Sequence, residues 1–145
     1  MKKGVSVYLS SKDKQLIINT LKHEIPMLQA LYLFGSQRDG SATASSDIDI
    51  AYLINKPLDT VNRWELSQSL ASLLSKDVDL IELSTTNTIF RYQILSSAER
   101  IYGAGYEVEN FETLAYSFYL RFQEERKPIV DEIMKNKSIL GSVYA

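Results

Sequence analysis

Apolar positions recur along the chain with two different periods, and the period decides which element each stretch is expected to form. Residues 11–24 place Leu16, Ile17, Leu21 and then Ile25 at helical spacing, open on Ser11 and Asp13 in cap-like positions and stop at Pro26, so a first helix is predicted there. Short, largely apolar runs follow at 29–34 (QALYLF) and 48–54 (IDIAYLI), one ended by Gly35-Ser36 and the other by Asn55-Lys56-Pro57, as expected of strands in a mostly buried sheet. The polar segment 36–46 between them has room for a turn of helix and a loop. After Pro57, Asp59 or Thr60 is placed to cap a helix carrying Val61, Trp64, Leu66, Leu70, Leu73 and Leu74 as far as Ser75, with Trp64 expected in the core. A third strand is predicted at 77–83 (DVDLIEL), a helix at 86–96 and a short strand at 100–102. Apolar residues from Phe111 to Ile133 then keep helical spacing, giving a helical segment at 107–136 that Pro128 should kink or split, with no clear pattern beyond 138. Strands interleaved with helices predict an α/β (α+β) chain, a small mixed sheet covered by helices, folded as one domain over residues 1–145.

Composition narrows the chemistry more than the fold. Sixteen Lys and Arg stand against 18 Asp and Glu, a net charge of −2, so the positive excess that nucleic-acid binding draws on is missing and no direct nucleic-acid partner is expected. No run approaches the length of a membrane span, and the start, Met1-Lys2-Lys3-Gly4, lacks the apolar stretch of a secretion signal; a cytoplasmic protein without a membrane partner is expected. The absence of cysteine removes disulfides, thiolate metal sites and a thiol nucleophile, and a single histidine, His23, removes any multi-histidine metal cluster. His23 itself falls near the end of the first predicted helix, where a cation suits the helix dipole, and reads as a solvated or capping residue.

One stretch gathers groups that chemistry can use. Gly35-Ser36 ends a predicted strand, ten residues intervene, and Asp47-Ile48-Asp49 opens the next strand. Side chains two apart in a strand project to one side, about 6 to 7 Å apart along the backbone, so Asp47 and Asp49 share a face while Ile48 and Ile50 turn into the core. Like charges so placed repel one another, and a hard divalent cation that takes oxygen ligands relieves the conflict. A glycine without Cβ lets the backbone approach a phosphate, and a serine hydroxyl with backbone N–H groups binds phosphoryl oxygens. A further acid lies in the third predicted strand. Parity sets Glu82 on the opposite face from Asp77 and Asp79 without separating those two; Asp79, flanked by Val78, Leu80 and Ile81, would be costly to bury without a cation or partner, whereas Asp77 enters the strand next to Lys76. Asp79 is therefore selected.

Gly-Ser, ten residues, Asp-x-Asp and a later Val-Asp-Leu strand resemble the DNA polymerase β nucleotidyltransferase superfamily, and the short length resembles its minimal nucleotidyltransferases, the MNT antitoxins of HEPN/MNT toxin–antitoxin pairs. The resemblance runs from residue 29 through the segment TIFRYQILSSAERIY. It implies the polymerase β-like nucleotidyltransferase fold, two Mg²⁺ ions (with Mn²⁺ as a substitute), and ATP as substrate. Gly35 and Ser36 would hold the nucleotide's phosphates, Asp47 and Asp49 would bind the metals, and Asp79 would ligate one of them and help activate the attacking hydroxyl. Many relatives carry Gly-Ser-x-x-Arg-Gly; here Asp39 precedes Gly40 and the nearby arginine is Arg38, assigned to the nucleotide or, alternatively, to solvent. The implied activity is transfer of AMP to a tyrosine of a cognate HEPN-family RNase toxin. Two other functions compete: a small-molecule nucleotidyltransferase, for which the chain has little room, and a non-catalytic antitoxin that covers its toxin, which has no need of three facing acids. Phe90, Arg91 and Tyr92 either pack on the sheet or border the adenine, and the aromatic stripe Phe111, Phe118, Tyr119 and Phe122 is expected mostly in the core, with the long helix offering a face for a partner.

Overall fold

The computed structural model describes residues 9–35 and 47–144, with side chains described as far as Lys137. Within them the chain runs α1 (Ser11–Glu24), β1 (Leu28–Phe34), β2 (Ile48–Ile54), α2 (Thr60–Leu74), β3 (Val78–Glu82), α3 (Thr88–Ser97), β4 (Glu99–Tyr102) and α4 (Tyr106–Tyr144), with one 3₁₀ turn at Leu83–Thr85. The predicted segment 36–46 lies outside the described residues. Local chemistry sets the helix starts. Ser10, one residue earlier than expected, accepts from the Asp13 amide at 3.1 Å; Asp59 accepts from Val61 at 3.0 Å; Asn87 accepts from Phe90 at 2.8 Å. The Asn87 cap explains why α3 begins at Thr88 and not at residue 86: the preceding residues are taken up by the 3₁₀ turn that ends β3.

The four strands form a mixed sheet in the order β3-β2-β1-β4, with β1 antiparallel to both β2 and β4 and β2 parallel to β3. Alternation then divides the apolar residues between two faces. Leu31, Leu33, Ile48, Ile50, Tyr52, Ile54 and Leu80 meet Ile17, Leu21, Leu66 and Leu70 of α1 and α2, whereas Ala30, Tyr32, Ala51 and Leu53 meet Ile94 of α3 and Val108 of α4. The result is a three-layer arrangement in which both sheet faces are covered, and β1 and β2, whose hydrophobic runs are nearly continuous, are buried on both sides.

Trp64 departs from the expected core position. Two residues before Leu66, it lies about 200° around the helix from that buried side chain and is 63% exposed, so α2 seats only Leu66 and Leu70 fully. The final helix also differs: it runs Tyr106–Tyr144 and not 107–136, and Pro128 does not split it. Pro128 stands on the exposed part of the helix, where the carbonyl that a proline leaves unbonded is open to solvent and costs little. Of the expected aromatic stripe, Phe118 and Phe122 are exposed, while Tyr119 stacks on Tyr92 of α3 with ring centroids 3.8 Å apart. The start of α4 is tied to the sheet by polar contacts: Tyr32 donates to Glu112, Arg100 pairs with Glu109 at 2.9 Å and with Glu112 at 3.3 Å, and Gln29 donates to Glu107 at 2.6 Å. Burial first, and then the Glu112 carboxylate, push the Tyr32 phenol far above its ordinary range, so it remains a neutral donor.

Candidate active site

The acids selected from sequence meet through strand register. Parallel pairing of β2 with β3 sets Asp49 opposite Asp79, and antiparallel pairing of β1 with β2 sets Phe34 opposite Asp49, so the turn that follows β1 ends beside the same carboxylate. That turn is Gly35. Its φ of +69° is a left-handed conformation that favours glycine, and a Cβ at this position would overlap Asp49 Oδ2 and push that carboxylate aside. Asp47 precedes β2 and is exposed, Asp49 is half-buried, and Asp79 is exposed at the outer strand. Asp79 therefore owes its place to register, not to the burial inferred from its apolar neighbours.

Asp49 is the electrostatic centre of this group. Burial first, then the charge of Asp79, then that of Asp47 push its carboxyl above the ordinary carboxylate range; every one of these causes opposes its ionisation. Asp49 thus lies within the electrostatic reach of both other acids at the ends of β2 and β3. Among the described residues no three such side chains already converge into a closed coordination shell. An open arrangement of this kind suits Mg²⁺, which keeps several ligands from water and substrate phosphates and takes only one or two carboxylates from protein. The donor set is all oxygen, the charge is in excess, and the glycine turn leaves the backbone open beside it, so the residues fit a cation and a polyphosphate together. Ser36 and Arg38 lie outside the described residues.

Glu82 serves a different purpose. It occupies the opposite face, is 2% exposed, and accepts from Tyr52 Oη at 3.2 Å, from the Leu58 amide at 3.3 Å and from Ser84 Oγ at 3.1 Å. Burial, and next the Glu82 charge, push the Tyr52 phenol up to about 12. Asp77, the other residue that parity left open, joins β2 through its backbone, its carbonyl accepting from the Ile48 amide at 2.9 Å.

Apart from Phe90, the surroundings of Asp79 leave no mark in the sequence. A recess of about 440 Å³ opens along the outer edge of β3, where Asp79 is joined by Arg63, Trp64 and Ser67 of α2 and by Thr86 and Phe90 near the start of α3. Arg91 donates to the carbonyls of Leu83, Ser84 and Thr86 at 3.0, 3.1 and 2.7 Å and so fixes the turn that carries Thr85 and Thr86 of this recess. A larger recess of about 650 Å³ lies between Leu28, Gln29, Tyr102 and Tyr106, but its acid, Glu107, is engaged by Gln29, so volume alone does not mark the reactive place.

A mixed sheet with acids paired across β2 and β3 and a glycine turn against the central one defines a nucleotidyltransferase class of site. Residues 15–107 match the family Polymerase beta, Nucleotidyltransferase, and the chain belongs to that family. It is similar to the protein adenylyltransferase MntA of Shewanella oneidensis, with 42% identity over 124 residues covering 86% of this chain and 89% of the relative. Among solved structures it is similar to a toxin–antitoxin crystallised with AMP-PNP (40% identity, 83% of this chain and 98% of the other, TM-score 0.75). It also resembles the MNT antitoxin in complex with the tri-AMPylated Shewanella oneidensis HEPN toxin (37% identity, 87% and 99%, TM-score 0.73). Among the described residues no helix is long and apolar enough to cross a membrane.

Proposed function

We propose that this chain is an antitoxin that transfers AMP from ATP to a tyrosine of a cognate HEPN-family toxin and thereby silences it in the cytoplasm. The observation that carries this reading is the meeting of Gly35, Asp49 and Asp79 through register at one end of the sheet. In it, Gly35 and Ser36 hold the phosphates, with Arg38 as a further phosphate contact, and Asp47, Asp49 and Asp79 hold divalent cations. Bound Mg²⁺ supplies counter-charge for the triphosphate and lowers the cost of forming the attacking oxyanion. The chain's own contribution is placement. Gly35 lets the polyphosphate approach the backbone closely, the half-buried Asp49 anchors the centre, and the exposed Asp79 stands where an acceptor arriving from outside can reach it.

The test uses purified chain, ATP, Mg²⁺ and the cognate toxin, with intact mass and peptide mapping of the toxin as readout. AMP should appear on a toxin tyrosine with wild-type protein and not with Asp49→Asn. A toxin that stays unmodified yet is inhibited equally by both proteins would establish neutralisation by occlusion and overturn the catalytic reading.

A further inference from the structure

We infer that the recess beside β3 receives the ring of the acceptor tyrosine, with Trp64 and Phe90 as its specificity-determining walls. The inference rests on the proposed adenylyl transfer and concerns where the acceptor enters. Sheet order supplies the direction. From β1 outward, the groups stand as the Gly35 turn, then Asp49 on β2, then Asp79 on β3, then the recess at the sheet's outer edge. Displacement at phosphorus is in line, with the attacking oxygen opposite the leaving group. If pyrophosphate departs on the Gly35 side, the nucleophile arrives past Asp79, which is the side on which the recess opens.

The walls suit an aromatic occupant. Trp64 is 63% exposed and Phe90 38% exposed, yet they come from different helices on opposite faces of the sheet and both line this one recess. Neither is needed to fill the core, which α2 supplies through Leu66 and Leu70 and α3 through Ile94. Large rigid aromatic surfaces next to a carboxylate match a phenol, whose ring is apolar and whose oxygen is polar, better than they match the small side chain of serine or threonine. The recess volume of about 440 Å³ admits one aromatic side chain together with the backbone that carries it. In the step itself the phenolic oxygen forms a bond to the α-phosphorus, the bond from that phosphorus to the bridging oxygen breaks, pyrophosphate leaves with the electron pair, and the phenolic proton is released to solvent at the exposed Asp79.

Trp64→Ala and Phe90→Ala, assayed with the cognate toxin, ATP and Mg²⁺, should raise KM for the toxin tenfold or more, while calorimetry with AMP-PNP and Mg²⁺ shows nucleotide affinity within twofold of wild type. Trp64→Phe should restore most of the loss, which a merely structural defect would not predict. Because Trp64 is the chain's only tryptophan, its fluorescence gives an independent reading: AMP-PNP with Mg²⁺ should leave the emission unchanged. Weakened AMP-PNP binding in the alanine variants, or quenching of Trp64 by AMP-PNP, would make the recess a nucleobase site and overturn the inference. An unchanged KM for the toxin would overturn it as well, with adenylyl transfer left standing. A wild-type protein that transfers no AMP to the toxin would instead remove the reading on which the inference rests.

Discussion

The two faces of the sheet treat carboxylates in opposite ways, and β3 displays both treatments within four residues. Glu82 turns toward the α1 and α2 side, is buried, and is met by a phenol, a backbone amide and a serine hydroxyl. Asp79 turns toward the other side, is exposed, and has Asp49 as its neighbour across the strands. A buried acid with donors around it fixes structure, because desolvation has already been compensated. Acids left facing one another hold unfavourable electrostatic energy that folding alone does not relieve, and that energy is available to whatever cation the site binds. The strand therefore separates a carboxylate met by donors from one that faces another acid by parity alone.

Substitution should separate these roles. Asp49→Asn should reduce AMP transfer by on the order of a hundredfold or more, since several kcal/mol of transition-state stabilisation is lost. Its apo form should melt at the same temperature as wild type or higher because a partly buried, repelled charge has been removed. A lower melting point with transfer retained would break the contrast by making Asp49 structural. Glu82→Ala should cost about 2 to 3 kcal/mol in denaturant unfolding, as three donors lose their acceptor, whereas Asp79→Ala should stay within about 0.5 kcal/mol of wild type. Gly35→Ala should cost about 1 to 2 kcal/mol for its positive φ and should lower transfer by displacing Asp49, visible in the same two assays.

A pH-dependent effect concerns Tyr52. Its phenol ionises near 10 ordinarily and is pushed up to about 12 here by burial and then by Glu82. Between those values the unfolded chain has released a proton that the folded chain keeps, so the stabilisation is complete below pH 10 and is lost as pH rises through 12. Tyr52→Phe lacks this group; it should be about 1 kcal/mol less stable than wild type below pH 10, and the gap should close toward pH 12 in unfolding curves measured across that range.

Much of this contrast was legible in the sequence, because a period of two is sufficient to assign Asp47 and Asp49 to one face and to remove Glu82 from Asp79's. The strands followed from short apolar runs bounded by Gly, Asn and Pro. Register was not legible: nothing in a single sequence says that Asp79 and not Asp77 pairs with Asp49, and the exposure of Asp79 removes the burial by which it was preferred to Asp77. Trp64 was misplaced by counting apolar residues without fixing their angle, although its separation from Leu66 places it off the buried stripe. The long-range partners of Tyr32 and Tyr52 depend on tertiary packing and left no local mark. Residues 107–136 carried the helical period, but the helix continues past it because backbone hydrogen bonding does not require an apolar stripe.

At about 1.5 Å per residue, the 39 residues of α4 extend for roughly 58 Å, while the contacts that root it, from Glu107 and Val108 through Glu112 and Ala115 to the stacking of Tyr119 on Tyr92, fall in its first four turns. The helix is thus a cantilever. Its amides near Ala115 can exchange with solvent deuterium only when the sheet face opens, whereas those around Pro128, on the exposed turns, need only a local fraying. A steep decline in protection along one continuous helix is the expected signature, and any partner that braces the distal turns will be recognised by the disappearance of that decline.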